Sequence, residues 1–240
     1  MERLLGAGVL VMVAVCTGVG ARLLWLSART RKPPEFLLGS AFVLLGGVGY
    51  PLAIVARGGP GGAPSPDLLL VALGFQDLAC AAMYASTWKT FHSATRWGAG
   101  VCALALVGFA ASLFAGSASG GPDEGAWYYL GFALRSGAFA WAAFESHASW
   151  RRLRRKDALD LGDPAVTNRF FLWTLSTLGI LAGFAIFLCG RFTSENVGAD
   201  PWVLSATSVV SLASAATMWL AFVPTRRYTR WLARRSAASL

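Results

Sequence analysis

The chain has 240 residues, of which 55% are apolar and only 14% charged, and its mean hydropathy is +0.54. An ordinary soluble domain carries about 25% charge, so these proportions exclude a water-soluble globular fold for most of the length. The formal charge of +9 does not point to nucleic acid, because the basic residues cluster at the ends of apolar stretches, as they do at a membrane surface. Of the 21 basic residues 18 are Arg, which with abundant Ala and Gly suggests a GC-rich bacterial genome.

Seven stretches of about 19–25 residues are almost free of charge, and each can cross a hydrocarbon core about 30 Å thick. The pattern predicts an all-α integral membrane protein with seven transmembrane helices near 4–26, 36–56, 68–90, 98–116, 126–149, 170–189 and 202–224. The helices form one bundle over 1–225, followed by a short basic amphipathic tail helix at 226–240. Within 240 residues this leaves no room for a soluble effector domain. The first span is followed by Arg29, Arg31 and Lys32, a stop-transfer pattern, and is read as retained. Val15 is too large to precede Cys16 at a lipoprotein cleavage site. Turn chemistry marks the boundaries. Pro33-Pro34 precedes the second span, Gly58-Gly59-Pro60-Gly61-Gly62 follows it, and Gly120-Gly121-Pro122 precedes the fifth. Asp163-Pro164 and Asp200-Pro201 place an acid and a proline at the starts of the last two. Inside the second span, Gly46-Gly47-Val48-Gly49-Tyr50-Pro51 predicts a kink with freed carbonyls beside Tyr50.

Orientation follows from Lys and Arg in the short loops. One side of the membrane holds Arg29, Arg31, Lys32, Lys89, Arg96, Arg169, the run from Arg151 to Lys156 and the tail arginines, 16 in all. The other holds three, Arg3, Arg57 and Arg191. The bias places the N-terminus outside and the C-terminus in the cytoplasm, and the expected location is the bacterial inner membrane. Trp25, Trp88, Trp97 and Trp150 form one interfacial belt, and Trp127, Tyr128, Tyr129 and Trp202 the other.

An ionisable side chain at membrane depth marks a site by default. Asp77 and Arg135 each lie nine residues into a span, about 14 Å deep at about 1.5 Å per residue. Their spans run in the same direction, so the two share a level and are expected to pair. Gly74, Ala81, Tyr84 and Trp88 extend the Asp77 face; Gly131, Ala138 and Ala142 extend the Arg135 face. The ligand- or ion-binding set read from the sequence is Asp77, Arg135, Gln76, Tyr84, Ser211 and Ser214. Gln76 points about 100° away from Asp77 on an ideal helix. Ser211 and Ser214 belong to a hydroxyl stripe with Thr207 that serves equally for helix packing. Gly179 with Gly183, and Gly108, Ser112 and Gly116, read as small-residue packing faces. A purely structural ion pair stays open as the alternative for Asp77 and Arg135.

A second polar layer lies near the cytoplasmic boundary, with Arg22, Glu145, Arg169, His92 and His147 at its centre. Glu145 is expected to pair with Arg22 or Arg169. The two histidines and four scattered cysteines make a poor metal or haem set, so no cofactor is expected. The Arg151–Lys156 run and the tail, where Tyr228, Trp231 and Leu232 share a face, fit an anionic lipid surface. A cytoplasmic protein partner is the alternative for the same groups.

No GxSxG, HExxH, P-loop or CxxC pattern is present, so an enzyme ranks last. Size and layout resemble the microbial rhodopsins, but span seven has no Lys for a Schiff base. The layout of the sugar-transporting and PQ-loop proteins is open by parity. Pro66 with Met83 matches Pro201 with Met218 at the same offset of 135, but the Pro-Gln dipeptide is absent. The leading expectation is a multi-pass protein that binds or translocates a small solute, ion or proton at a midplane polar site. A receptor-like sensor acting through its basic loop comes second, and a non-catalytic accessory subunit third.

Overall fold

The computed structural model describes residues 7–58, 63–118, 125–157, 159, 163–193, 200–225, 227–228 and 231. The glycine turns at 59–62 and 120–122 and most of the expected tail helix lie outside them. Among the described residues the secondary structure is helical, without strands. The helices are α1 (Ala7–Thr30), α2 (Pro33–Ala56), α3 (Pro66–Phe91), α4 (Arg96–Ala118), α5 (Gly125–Asp157), α6 (Pro164–Thr193) and α7 (Pro201–Phe222).

The helix starts follow the local chemistry. Ser65 caps α3, its hydroxyl accepting from the Leu68 N–H at 3.4 Å ahead of Pro66. The Asp200 carboxylate accepts from the Trp202 N–H at 3.0 Å ahead of Pro201. Asp163 does the same for Ala165 at 2.9 Å. In each case a side chain satisfies a donor that the first turn leaves open, while proline tolerates the missing partner.

Helix α2 is not regular. Between Pro33–Phe42 and Tyr50–Ala56 it opens into a seven-residue π-helix, Val43–Gly49, where the Tyr50 N–H reaches back five residues to the Leu45 carbonyl. This is the glycine-proline cluster. Pro51 has no N–H for the ladder, and glycines at 46, 47 and 49 let the backbone widen instead of breaking.

Six of the described helices, α1, α2, α3, α4, α6 and α7, are long and apolar enough to cross a membrane. The fifth, α5, is the longest at 33 residues, but it is not in that set. It carries Arg135, Glu145 and several tryptophans and tyrosines, and the two charged side chains are buried. A helix whose polar residues are enclosed by protein needs less apolar surface than one facing lipid on all sides.

The chain packs as two compact units, Cys16–Trp141 and the remainder, Met1–Val15 with Ala142–Leu240. In the first, α1 and α2 touch backbone to backbone: a Cβ on Gly20 would lie 2.9 Å from the Gly39 carbonyl. Ala53 and Ala56 of α2 pack on Leu69, Ala72 and Leu73 of α3. The Gly108 face of α4 receives Leu134 of α5, and the Ser112 hydroxyl donates to the Trp127 carbonyl at 2.8 Å. In the second unit, Ser214 of α7 packs against Gly179 of α6, and the Ser176 hydroxyl donates to the Ser214 carbonyl at 3.2 Å. Trp173 and Phe222 meet edge to face, with ring centroids 5.2 Å apart.

Polarity is reversed relative to a soluble fold. Asp77, Arg135, Ser146, Ser176, Thr177 and Ser214 are buried, while Leu104, Val107, Phe114, Phe144 and Val209 point outward at 66–78% exposure. Such large outward apolar residues suit a lipid environment.

Candidate functional site

The site is built by α3 and α5 within the Cys16–Trp141 unit. Arg135 Nε donates to Asp77 Oδ1 at 2.6 Å, and both side chains are 4% exposed. Two unit charges removed from water in this way hold each other in place, because neither has solvent to turn to. The contact is single-pronged. Asp77 Oδ2 is buried and accepts no hydrogen bond from the described residues.

Small residues make room for the guanidinium. A Cβ on Gly131, one turn before Arg135, would lie 3.0 Å from Arg135 Nη2 and would collide with the Ser112 hydroxyl of α4. One turn after Asp77, Cys80 is buried against the same region. Two turns after it, the Tyr84 hydroxyl donates to the Leu134 carbonyl at 2.9 Å, next to Arg135 in the chain. The same hydroxyl fills the space beside Gly137, where a Cβ would approach it to 2.5 Å. Contacts from Asp77 to Arg135 and from Tyr84 to Trp141, whose rings are 5.8 Å apart, advance together along both helices. Hence α3 and α5 run parallel, as an intervening α4 requires.

The other candidate residues are placed as follows. Gln76 faces α2, donating its amide to the Gly49 carbonyl at 3.2 Å. Ser214 is buried and donates to the Val210 carbonyl at 2.8 Å, and Ser211 is half-buried; both belong to the second unit. Glu145 is buried, whereas Arg22 and Arg169, its expected partners, are exposed. His92 is half-buried between Trp97 and Trp141, with centroids 4.4 and 6.0 Å away. His147 is exposed beside the Trp150 ring. The structure therefore gathers Asp77, Arg135 and Tyr84 into one site. Sequence reasoning did not single out the Gly137 contact with Tyr84; the small residue two positions after Arg135 was the signal available. No group of His, Cys, Asp and Glu able to hold a metal ion occurs among the described residues.

Apolar helices long enough to span a bilayer, a lipid-compatible exterior and a buried charge pair define a multi-pass helical membrane protein. Compared with models of known protein families, with curated proteins and with solved structures, the chain matches none.

Proposed function

We propose that the protein is a seven-span protein of the bacterial inner membrane that binds or translocates a small solute, ion or proton at the Asp77–Arg135 pair. The observation that carries this reading is the uncommitted Asp77 Oδ2, a buried carboxylate oxygen with no hydrogen-bond partner among the described residues. A pair kept only for architecture is best served by a two-pronged carboxylate–guanidinium contact that satisfies both oxygens. Here one oxygen is held and the other stays open to a cation, a proton or a donor group of a solute. The open oxygen costs stability unless something binds it during the working cycle.

All seven helices cross in this reading, with the N-terminus outside and the C-terminus in the cytoplasm. The 16-to-3 distribution of loop Lys and Arg supports that orientation. Anionic headgroups at the cytoplasmic face are the expected surroundings of the Arg151–Lys156 run.

The test is reconstitution of the full chain into vesicles holding a pH-sensitive dye, with an imposed potassium diffusion potential. Wild-type vesicles should pass protons faster than Asp77→Asn vesicles, or show solute-dependent flux that Asp77→Asn lacks. Asp77→Asn strands Arg135, so it should cost about 3–5 kcal/mol in stability. The exchange Asp77→Arg with Arg135→Asp should recover much of that stability and none of the flux. Recovery of both, or equal flux from wild type and Asp77→Asn, would reduce the pair to a structural one.

A further inference from the structure

A second site lies in the other unit, where the end of α5 meets the start of α6. An open hollow of about 360 Å³ is lined by Trp150 and Arg154 of α5 and by Pro164, Thr167, Asn168 and Phe171 of α6. Its polar groups suit an anion. Arg154 is exposed, with its guanidinium 5.6 Å over the Trp150 ring. The positive end of the α6 dipole lies nearby and is already met by the capping Asp163 carboxylate. Asn168 commits one amide hydrogen to the Tyr228 hydroxyl at 2.7 Å. Thr167 is 7% exposed, and its hydroxyl has no partner among the described residues. A buried hydroxyl without a partner, on a residue that lines a hollow, offers a donor that a ligand oxygen would complete.

The charge balance around the hollow is positive. Arg151, Arg152, Arg154, Arg155 and Lys156 precede it in the sequence, against Asp157, Asp160 and Asp163. The Asp163 carboxylate accepts from the Ala165 N–H and so caps α6. One turn along each helix the lining is apolar: the Trp150 and Phe171 rings lie 5.2 Å apart, and Phe171 is 37% exposed. A guanidinium and a hydroxyl at one level of the hollow and two aromatic rings one turn away match a molecule with an anionic head and an apolar chain.

We propose that this hollow binds the phosphate of an anionic phospholipid headgroup, held by Arg154 and Thr167, with an acyl chain along Phe171. The proposal needs the α5–α6 junction to lie at a bilayer surface. It uses neither Asp77 nor Arg135, so its failure leaves the proposed solute site untouched, and the reverse also holds.

The experiment titrates the purified full chain in detergent with phosphatidylglycerol, with phosphatidylcholine and with inorganic phosphate, reading Tm and bound lipid by native mass spectrometry. Phosphatidylglycerol should raise Tm and stay bound, phosphatidylcholine should do neither, and excess inorganic phosphate should leave the lipid in place. Arg154→Gln should weaken phosphatidylglycerol binding about tenfold, the loss of one charge-assisted contact. Thr167→Val should weaken it severalfold while leaving the lipid-free Tm unchanged or higher, because it removes an unsatisfied hydroxyl. Arg152→Gln, outside the hollow, should change binding much less than Arg154→Gln. Equal binding of both lipids, equal effects of the two arginine changes, or an unaltered affinity in Thr167→Val would overturn the proposal. Displacement of the lipid by inorganic phosphate would overturn it in favour of a free phosphate ligand.

Discussion

Gln76 donates its side-chain amide to the carbonyl of Gly49, 3.2 Å away, while its chain neighbour Asp77 faces Arg135. Adjacent residues on α3 thus serve two different helices, one tied to the π-segment of α2 and the other to the charge on α5. Gln76→Leu keeps most of the volume and removes the donor. It should lower stability by about 1 kcal/mol, the upper part of the range for a hydrogen bond inside a membrane bundle. Thermal melting in detergent and faster amide exchange over 43–50 would show it. Unchanged melting and exchange would mean that the amide does not hold the π-segment.

Tyr84 and Gly137 should be energetically coupled. A methyl on Gly137 would reach to 2.5 Å from the Tyr84 hydroxyl, so Gly137→Ala alone should destabilise by about 1–3 kcal/mol through overpacking. In a Tyr84→Phe background the oxygen is gone and the same methyl should fit. A double-mutant cycle should therefore give a coupling above about 0.5 kcal/mol, whereas strictly additive losses would contradict the contact.

The two glycines of the α6 small-residue pair should behave differently. A Cβ on Gly179 would run into the Ser214 hydroxyl, while one on Gly183 would meet nothing within 4 Å. Gly179→Ala should therefore cost about 1–3 kcal/mol, and Ser214→Ala should relieve part of it. Gly183→Ala should be neutral or stabilising by up to about 1 kcal/mol, since alanine suits a helix interior better than glycine. Melting curves of the three variants decide the matter, and equal losses at both glycines would refute it.

The orientation has its own test. A reporter active only in the cytoplasm should work when fused after Leu240 and fail when inserted at residues 116–123. The reverse pattern would move the layer of Arg22, Glu145, Arg169, His92 and His147 to the outer face and leave the Asp77–Arg135 level at the midplane.

The pairing of Asp77 with Arg135 was legible in the sequence because depth alone sets it. Each lies nine residues into its apolar stretch, and at about 1.5 Å per residue two parallel helices bring such positions to one level. The glycine-proline cluster of α2 was legible for a local reason, the missing Pro51 N–H. The partner of Gln76 was not, because a helical wheel states which way a side chain points and not which neighbour stands there. Glu145 is buried, as its position on α5 implies.

Sequence alone determined the membrane class, the approximate helix positions and the presence of charge at depth. Those properties depend on apolar run length and on backbone chemistry within a few residues. Tertiary structure decided the rest. The gathering of Tyr84 with the ion pair, the open oxygen of Asp77, the use of Gly179 but not Gly183, and the hollow beside Thr167 all depend on which faces of separate helices meet. That choice rests on side-chain shape across helices far apart in sequence, which no local pattern encodes.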